Sequence, residues 1–189
     1  MIRAFLAIDL PGSLQKGLTQ VQEQLKKSGA DVRWVPVGNI HLTLKFFGSI
    51  NETEAAAIGA AAQEIAQEYT PFDLQVAGAG AFPSIKSPRV IWLGITGQTE
   101  ILAHLFNRLE QSFATLGYLP ESRKFNPHLT LGRVRSPKGR EKLTSMFGEL
   151  TLPIFPVFQV KKLTLFRSNL TPHGAVYCPV QTINVGQDN

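Results

Sequence analysis

The tetrapeptide His41-Leu42-Thr43-Leu44 recurs as His128-Leu129-Thr130-Leu131, 87 positions further along a chain of 189 residues. In each copy polar and apolar residues alternate. A β-strand points successive side chains to opposite faces. His41 and Thr43 therefore share one face of a strand and Leu42 and Leu44 the other, and the second copy repeats the division. Each strand is expected to bury an aliphatic side and to present an imidazole beside a hydroxyl. Two such strands side by side would line a cleft with two histidines and two threonines.

The 87-residue offset extends beyond the tetrapeptide. Phe5-Leu6-Ala7-Ile8 maps onto Trp92-Leu93-Gly94-Ile95, and 36 residues separate each of these runs from its histidine. Ser13 is expected to cap a helix over about 13–28, stopped by Ser28-Gly29, and residues 32–37 are expected to be short and extended. The first histidine strand is expected over about 40–47, broken by Gly48. Asn51 or Thr53 then caps an alanine-rich helix to about Tyr69, and Pro71 bars its continuation. A strand at 72–78 leads into a glycine-rich turn at 77–80, and a buried strand follows at 89–96.

The second half repeats the order. A helix over about 99–116 carries Ile101, Leu102, Leu105, Leu109 and Phe113 on one side and stops at Gly117. A polar loop (118–127), the second histidine strand (128–135), a basic loop and a short helix to about Phe147 come next. Strands at 155–166 and 174–183 complete the chain, and the tail from Gly186 is expected to fray. Both halves read strand, helix, histidine strand, helix, strand. The chain is thus expected to be a single domain over 1–189 built on internal repeats at roughly 2–79 and 89–166. Such a duplication predicts a bilobal, pseudo-twofold molecule in which both tetrapeptides face one cleft.

Two histidines supply an acid and a base. An imidazole titrates near ~6.5, so one ring can be neutral while the other is charged. A neutral ring takes a proton from water or a hydroxyl, and a charged ring gives one to a leaving oxygen. Two threonine hydroxyls add donors for a tetrahedral oxyanion, of which phosphate is the commonest. The implied chemistry is phosphodiester cleavage or transfer without a metal. Zinc is the rival use of histidine, but neither copy contains a His-x-His or His-x₃-His spacing or an adjacent carboxylate.

Other residues are less constrained. Strand alternation puts Lys45 on the face of His41 and Thr43, where it would attract phosphate. Phe46 and Phe47 give one ring to each face, and the outer ring is available to stack on a base. Arg133 has the wrong parity for the His128 face unless the strand bulges near Gly132. The cluster Arg133, Arg135, Lys138 and Arg140 is either a guide for RNA or a solvated loop. His104 reads as structural and His173 as solvated. A net charge of +5 leans toward anionic partners. The single cysteine, Cys178, excludes an intrachain disulfide and reads as a buried structural thiol. The first residues hold too short an apolar run for a signal peptide, and no stretch approaches the ~20 residues of a membrane span. The expected location is cytoplasmic.

These segments resemble the two-histidine phosphoesterase superfamily, and within it the bacterial and archaeal RNA 2′,3′-cyclic phosphodiesterases, also called 2′-5′ RNA ligases. The resemblance rests on Arg3-Ala4-Phe5-Leu6-Ala7-Ile8, on Asn39 to Gly48, on Gly80-Ala81-Phe82-Pro83, on Pro88 to Gly94 and on Pro127 to Arg133. Leu165-Phe166-Arg167-Ser168 and Gly174-Ala175-Val176-Tyr177 extend it nearly to the end. It implies an α+β bilobal fold with two antiparallel sheets around a central cleft, helices outside and interleaved lobes. It implies no metal or cofactor, and hydrolysis of an RNA 2′,3′-cyclic phosphate to a 2′-phosphomonoester, with 2′-5′ ligation as the reverse. His41 would be the proton donor and His128 the proton acceptor, an order that comes from the resemblance alone. Thr43 and Thr130 would hold the phosphate, Arg133 would contact substrate and Phe46 would stack on the nucleobase. RNA ends, tRNA fragments among them, would be the partners of a monomer. The alternatives are a phosphodiesterase acting on a small cyclic phosphate or nucleotide, and a non-catalytic RNA-binding module on the same scaffold.

Overall fold

A computed structural model describes residues 1–171 and 174–187. His173 and the last two residues of the tail lie outside the described residues. The strands are β1 (Ile2–Asp9), β2 (Val32–Trp34), β3 (His41–Ile50), β4 (Phe72–Ser84), β5 (Ser87–Gly97), β6 (His128–Val134), β7 (Phe158–Val160), β8 (Lys162–Thr171) and β9 (Gly174–Asn184). The helices are α1 (Gln15–Lys26), α2 (Glu52–Ala66), α3 (Thr99–Thr115) and α4 (Arg140–Glu149). The fold is α+β, as expected.

All pairings are antiparallel, and the strand order is β7-β4-β5-β6-β3-β1-β8-β9, with β2 added on β6. The two halves are interleaved in sequence: β1 lies between β3 and β8, and β5 lies between β6 and β4. One residue pair, Leu42 with Leu129, joins β3 to β6 and so unites the two expected sheets into one. The helices cover the side of the sheet to which both leucines point. Leu6, Ile8, Leu42, Ile91, Leu93, Leu129 and Leu131 are buried there together with Leu18, Leu25, Leu105 and Phe113 from the helices. Helix α1 is fastened under β6 by Gln22, whose buried Nε2 donates to the carbonyls of Val35 (2.7 Å) and Leu131 (3.0 Å). Helix α3 covers the other half, where Phe113 packs edge-on against Phe47 at 5.0 Å.

Several boundaries differ from expectation, and glycine is the reason. Gly48 (φ +76°) and Gly78 (φ +75°) adopt a left-handed backbone and are absorbed as irregularities within strands instead of ending them. So β3 continues to Ile50, and β4 runs through the supposed turn to Ser84. Asn51 caps α2 through a reciprocal capping box with Glu54. The expected strand at 155–166 divides into β7 and the start of β8. The tail is held further than expected, since Val185 N–H donates to Lys161 and Gly186 N–H to Ala66. Cys178 is half-buried rather than buried.

Candidate functional site

The Leu42–Leu129 pairing makes the two tetrapeptides antiparallel neighbours. With both leucines on the helix side, His41, Thr43, His128 and Thr130 share the open face, and all four are half-buried. The two copies also orient their imidazoles alike. His41 Nδ1 lies 2.7 Å from the Asn39 carbonyl, and His128 Nδ1 lies 2.7 Å from the Asn126 carbonyl. A carbonyl only accepts, so Nδ1 carries the proton in both rings and Nε2 is left for chemistry. Asn39 and Asn126 are themselves 87 residues apart. That repetition was the available signal for these two partners.

A matching bulge falls at the last residue of each tetrapeptide. Thr43 faces Ala7 and Lys45 faces Leu6, so Leu44 is the extra residue. Likewise Thr130 faces Trp92 and Gly132 faces Ile91, so Leu131 is extra. A bulge shifts all later side chains to the other face. Phe46 therefore moves to the open face, where it is 68% exposed and its ring lies 5.6 Å from Phe5. Arg133 moves to the open face as well, opposite Val90.

Lys45 moves the other way, which corrects the expectation that it shares the face of His41. It points to the helix side, where its Nζ pairs with Glu110 of α3 at 2.8 Å and donates to the Leu119 carbonyl at 2.7 Å. Its counterpart on β6 is Gly132, where a Cβ would meet Val32 Cγ1 at 2.6 Å and Trp34 at 3.0 Å.

The two histidines have unlike surroundings. The His41 ring stacks on Phe5 at 4.7 Å and meets Tyr177 edge-on at 5.3 Å. This burial lowers its pKa below the ordinary histidine value; the Asn39 carbonyl and the Asp9 carboxylate oppose the shift without cancelling it. Asp9 is the ladder partner of His41 and accepts a 2.6 Å hydrogen bond from Thr164 Oγ1. The ladder partner of His128 is Gly94, which carries no charge. Phe82 meets the His128 ring edge-on at 5.0 Å, and Trp92 lies 6.4 Å away. Asp9, Phe5, Tyr177 and Trp92 were not singled out as site residues from the sequence, because their nearness to the imidazoles depends on cross-strand register.

His104 stands apart, with its Nδ1 2.6 Å from the Tyr69 hydroxyl. Among the described residues no three His, Cys, Asp or Glu side chains gather into a cluster suited to a metal ion. Two surface hollows, of about 480 and 410 Å³, lie on α1 and between α3 and residues 120–125; neither is lined by the open-face residues. Among the described residues no helix is long and apolar enough to cross a membrane.

Comparison with known proteins gives a consistent result. The family model described as LigT like Phosphoesterase matches the chain twice, over residues 8–92 and 93–177. A protein of Methanothermobacter thermautotrophicus named RNA 2′,3′-cyclic phosphodiesterase is 37% identical over 97% of this chain and 99% of its own length. One of the same name from Aquifex aeolicus is 31% identical over 98% of both chains. Among solved structures, a Thermus thermophilus protein superposes with a TM-score of 0.80 at 25% identity, covering 99% of this chain and 100% of its own. Escherichia coli LigT complexed with 3′-AMP gives a TM-score of 0.75 at 29% identity, covering 98% and 99%.

Proposed function

The chain belongs to the LigT-like phosphoesterase family, and from that premise we propose that it hydrolyses RNA 2′,3′-cyclic phosphate ends to 2′-phosphomonoesters. The observation that carries the proposal is the adjacency of the two tetrapeptides, with both imidazoles held in one tautomer on one face. The names of the relatives support the substrate class.

In the proposed reaction His128 Nε2 takes a proton from water as the water oxygen bonds to phosphorus. The bond from phosphorus to the 3′ oxygen breaks, and His41 Nε2 delivers a proton to that oxygen. Thr43 and Thr130 donate to the non-bridging phosphate oxygens, and the added negative charge is held by donors already in place. Asp9 supports His41 as the donor, since a carboxylate on its ladder partner favours the imidazolium, whereas the ladder partner of His128 is Gly94. The lowered pKa of His41 makes its charged form a stronger acid, and the anionic phosphodiester helps to keep it charged in the complex. Phe46 is available to stack on the terminal base, and Arg133 to pair with a phosphate. Run backwards with a 5′-hydroxyl in place of water, the same groups join RNA through a 2′-5′ linkage. We also read the chain as one bilobal unit built on a duplication, which the two matches to a single family model support.

A second reading, cleavage of a small cyclic nucleotide, draws on the E. coli LigT complexes with 3′-AMP and NADP+. One assay tests both. EDTA-treated protein is incubated with a short RNA ending in a 2′,3′-cyclic phosphate and, separately, with the mononucleotide. A 2′-phosphate on the RNA is the expected product. A 3′-phosphate would reverse the leaving group and overturn the mechanism, and turnover of the mononucleotide alone would favour the second reading.

A further inference from the structure

The open face continues past the histidines along β6 and onto β2. Arg133 follows the β6 bulge, and its ladder partner on β2 is Arg33. Val32 and Trp34 point to the helix side, against Gly132, so Arg33 between them points to the open face beside Arg133. Both arginines are exposed, and among the described residues neither forms an ion pair. Like charges directly opposite on neighbouring strands destabilise a sheet. Here the pair is held by backbone pairing and by the packing of Val32 and Trp34; Asp31, two residues before Arg33, forms no ion pair with either arginine among the described residues. Two unneutralised guanidinium groups side by side suit phosphate oxygens.

Their position sets which phosphates. Thr130 pairs with Trp92 and Arg133 with Val90, so along the ladder they lie two steps, about 6.6 Å, apart, and Arg33 stands one strand spacing of about 4.8 Å to the side of Arg133. Arg33 thus stands one strand to the side of Arg133 and beyond a group bound between the histidines, where a second phosphate of the same chain can meet it. We propose that Arg33, with Arg133, binds a backbone phosphate of the RNA upstream of its cyclic end, so that the site takes an oligonucleotide in preference to a mononucleotide. This deepens the function proposed above and rests on it. Of the rest of the basic cluster, Arg140 is half-buried at the start of α4.

The test measures binding to a fluorescent hexaribonucleotide ending in a 2′-phosphate, and to adenosine 2′-phosphate, between 50 and 200 mM KCl. Each phosphate contact on a single strand adds about 0.7 to the slope of log affinity against log salt. Arg33→Gln is expected to weaken the hexamer about five- to tenfold, to lower its affinity relative to the mononucleotide by a similar factor, and to reduce the slope by about 0.7. Arg33→Lys should keep most of the slope. Hexamer affinity and slope unchanged in Arg33→Gln would overturn the proposal. An equal loss of slope in Arg33→Lys and Arg33→Gln, read beside their thermal melts, would also overturn it by making the role one of shape. Hydrolysis of the cyclic RNA by the unaltered protein is scored separately, so a failure of the proposed reaction is distinguishable from a failure of this contact.

Discussion

Phe46 and Arg133 occupy equivalent places, each two residues beyond the last leucine of its tetrapeptide and each turned to the open face by the bulge that precedes it. They stand 87 residues apart, as the histidines do. The two halves thus put different side chains at one position of the repeat, an aromatic ring on the strand of His41 and a guanidinium on the strand of His128. On the proposed function this difference makes the site asymmetric, with a ring for a base at one end and a guanidinium for phosphate at the other.

Loss of either imidazole should remove its proton transfer. His41→Ala and His128→Ala are each expected to lower kcat on the cyclic RNA by at least about 100-fold, with melting curves close to that of the parent. Thr43→Ala and Thr130→Ala each delete one hydrogen bond, an effect of about 1–3 kcal/mol. Both histidine variants retaining more than a few per cent of the rate would refute the acid–base pair.

The lowered pKa of His41 has a definite sign in a pH profile. As the donor it must be charged in the free enzyme, so the alkaline limb of kcat/KM should fall below about pH 6.5. Asp9→Asn removes the charge that favours the imidazolium and should move this limb to still lower pH, reducing kcat/KM at pH 7. If His41 is instead the base, the same change raises activity on the acidic side. Stability follows the same linkage: the folded state protonates His41 less readily than the unfolded chain. Stability should therefore decline as pH falls from about 6.5 toward the folded value, and less so in His41→Gln.

Phe46 is exposed, so its truncation separates binding from folding. Phe46→Ala should raise KM for RNA by an amount equivalent to about 1–3 kcal/mol of lost base stacking, with a thermal midpoint near that of the parent. A large drop in the midpoint would mean that the ring serves packing against Phe5 instead.

Lys45 and Glu110 each keep 9% side-chain exposure, and breaking such a pair leaves one charge buried alone. Glu110→Leu is expected to cost about 3–5 kcal/mol in chemical denaturation, and the double variant Lys45→Met/Glu110→Leu should recover most of it. No recovery in the double variant would show that the carboxylate matters through other contacts, such as the one it accepts from Glu121 N–H.

What the sequence determined by itself was periodic and local. Alternation within His41-Leu42-Thr43-Leu44 assigned the leucines to the core, and the 87-residue repetition with its flanks identified the family and the four open-face side chains. Asn51, one of two candidate caps with Thr53, was legible for the same reason, since its hydrogen bonds run to Glu54 three positions away. Tertiary structure decided what depends on register between distant strands. One bulged residue, Leu44, sends Lys45 to Glu110 and Phe46 to the open face, and a period-two pattern read along one strand cannot register an insertion that exists only relative to its partner. The same holds for Asp9 opposite His41 and for Arg33 opposite Arg133. Each is an ordinary residue in its own segment, and only the hydrogen-bonded ladder brings it opposite its partner.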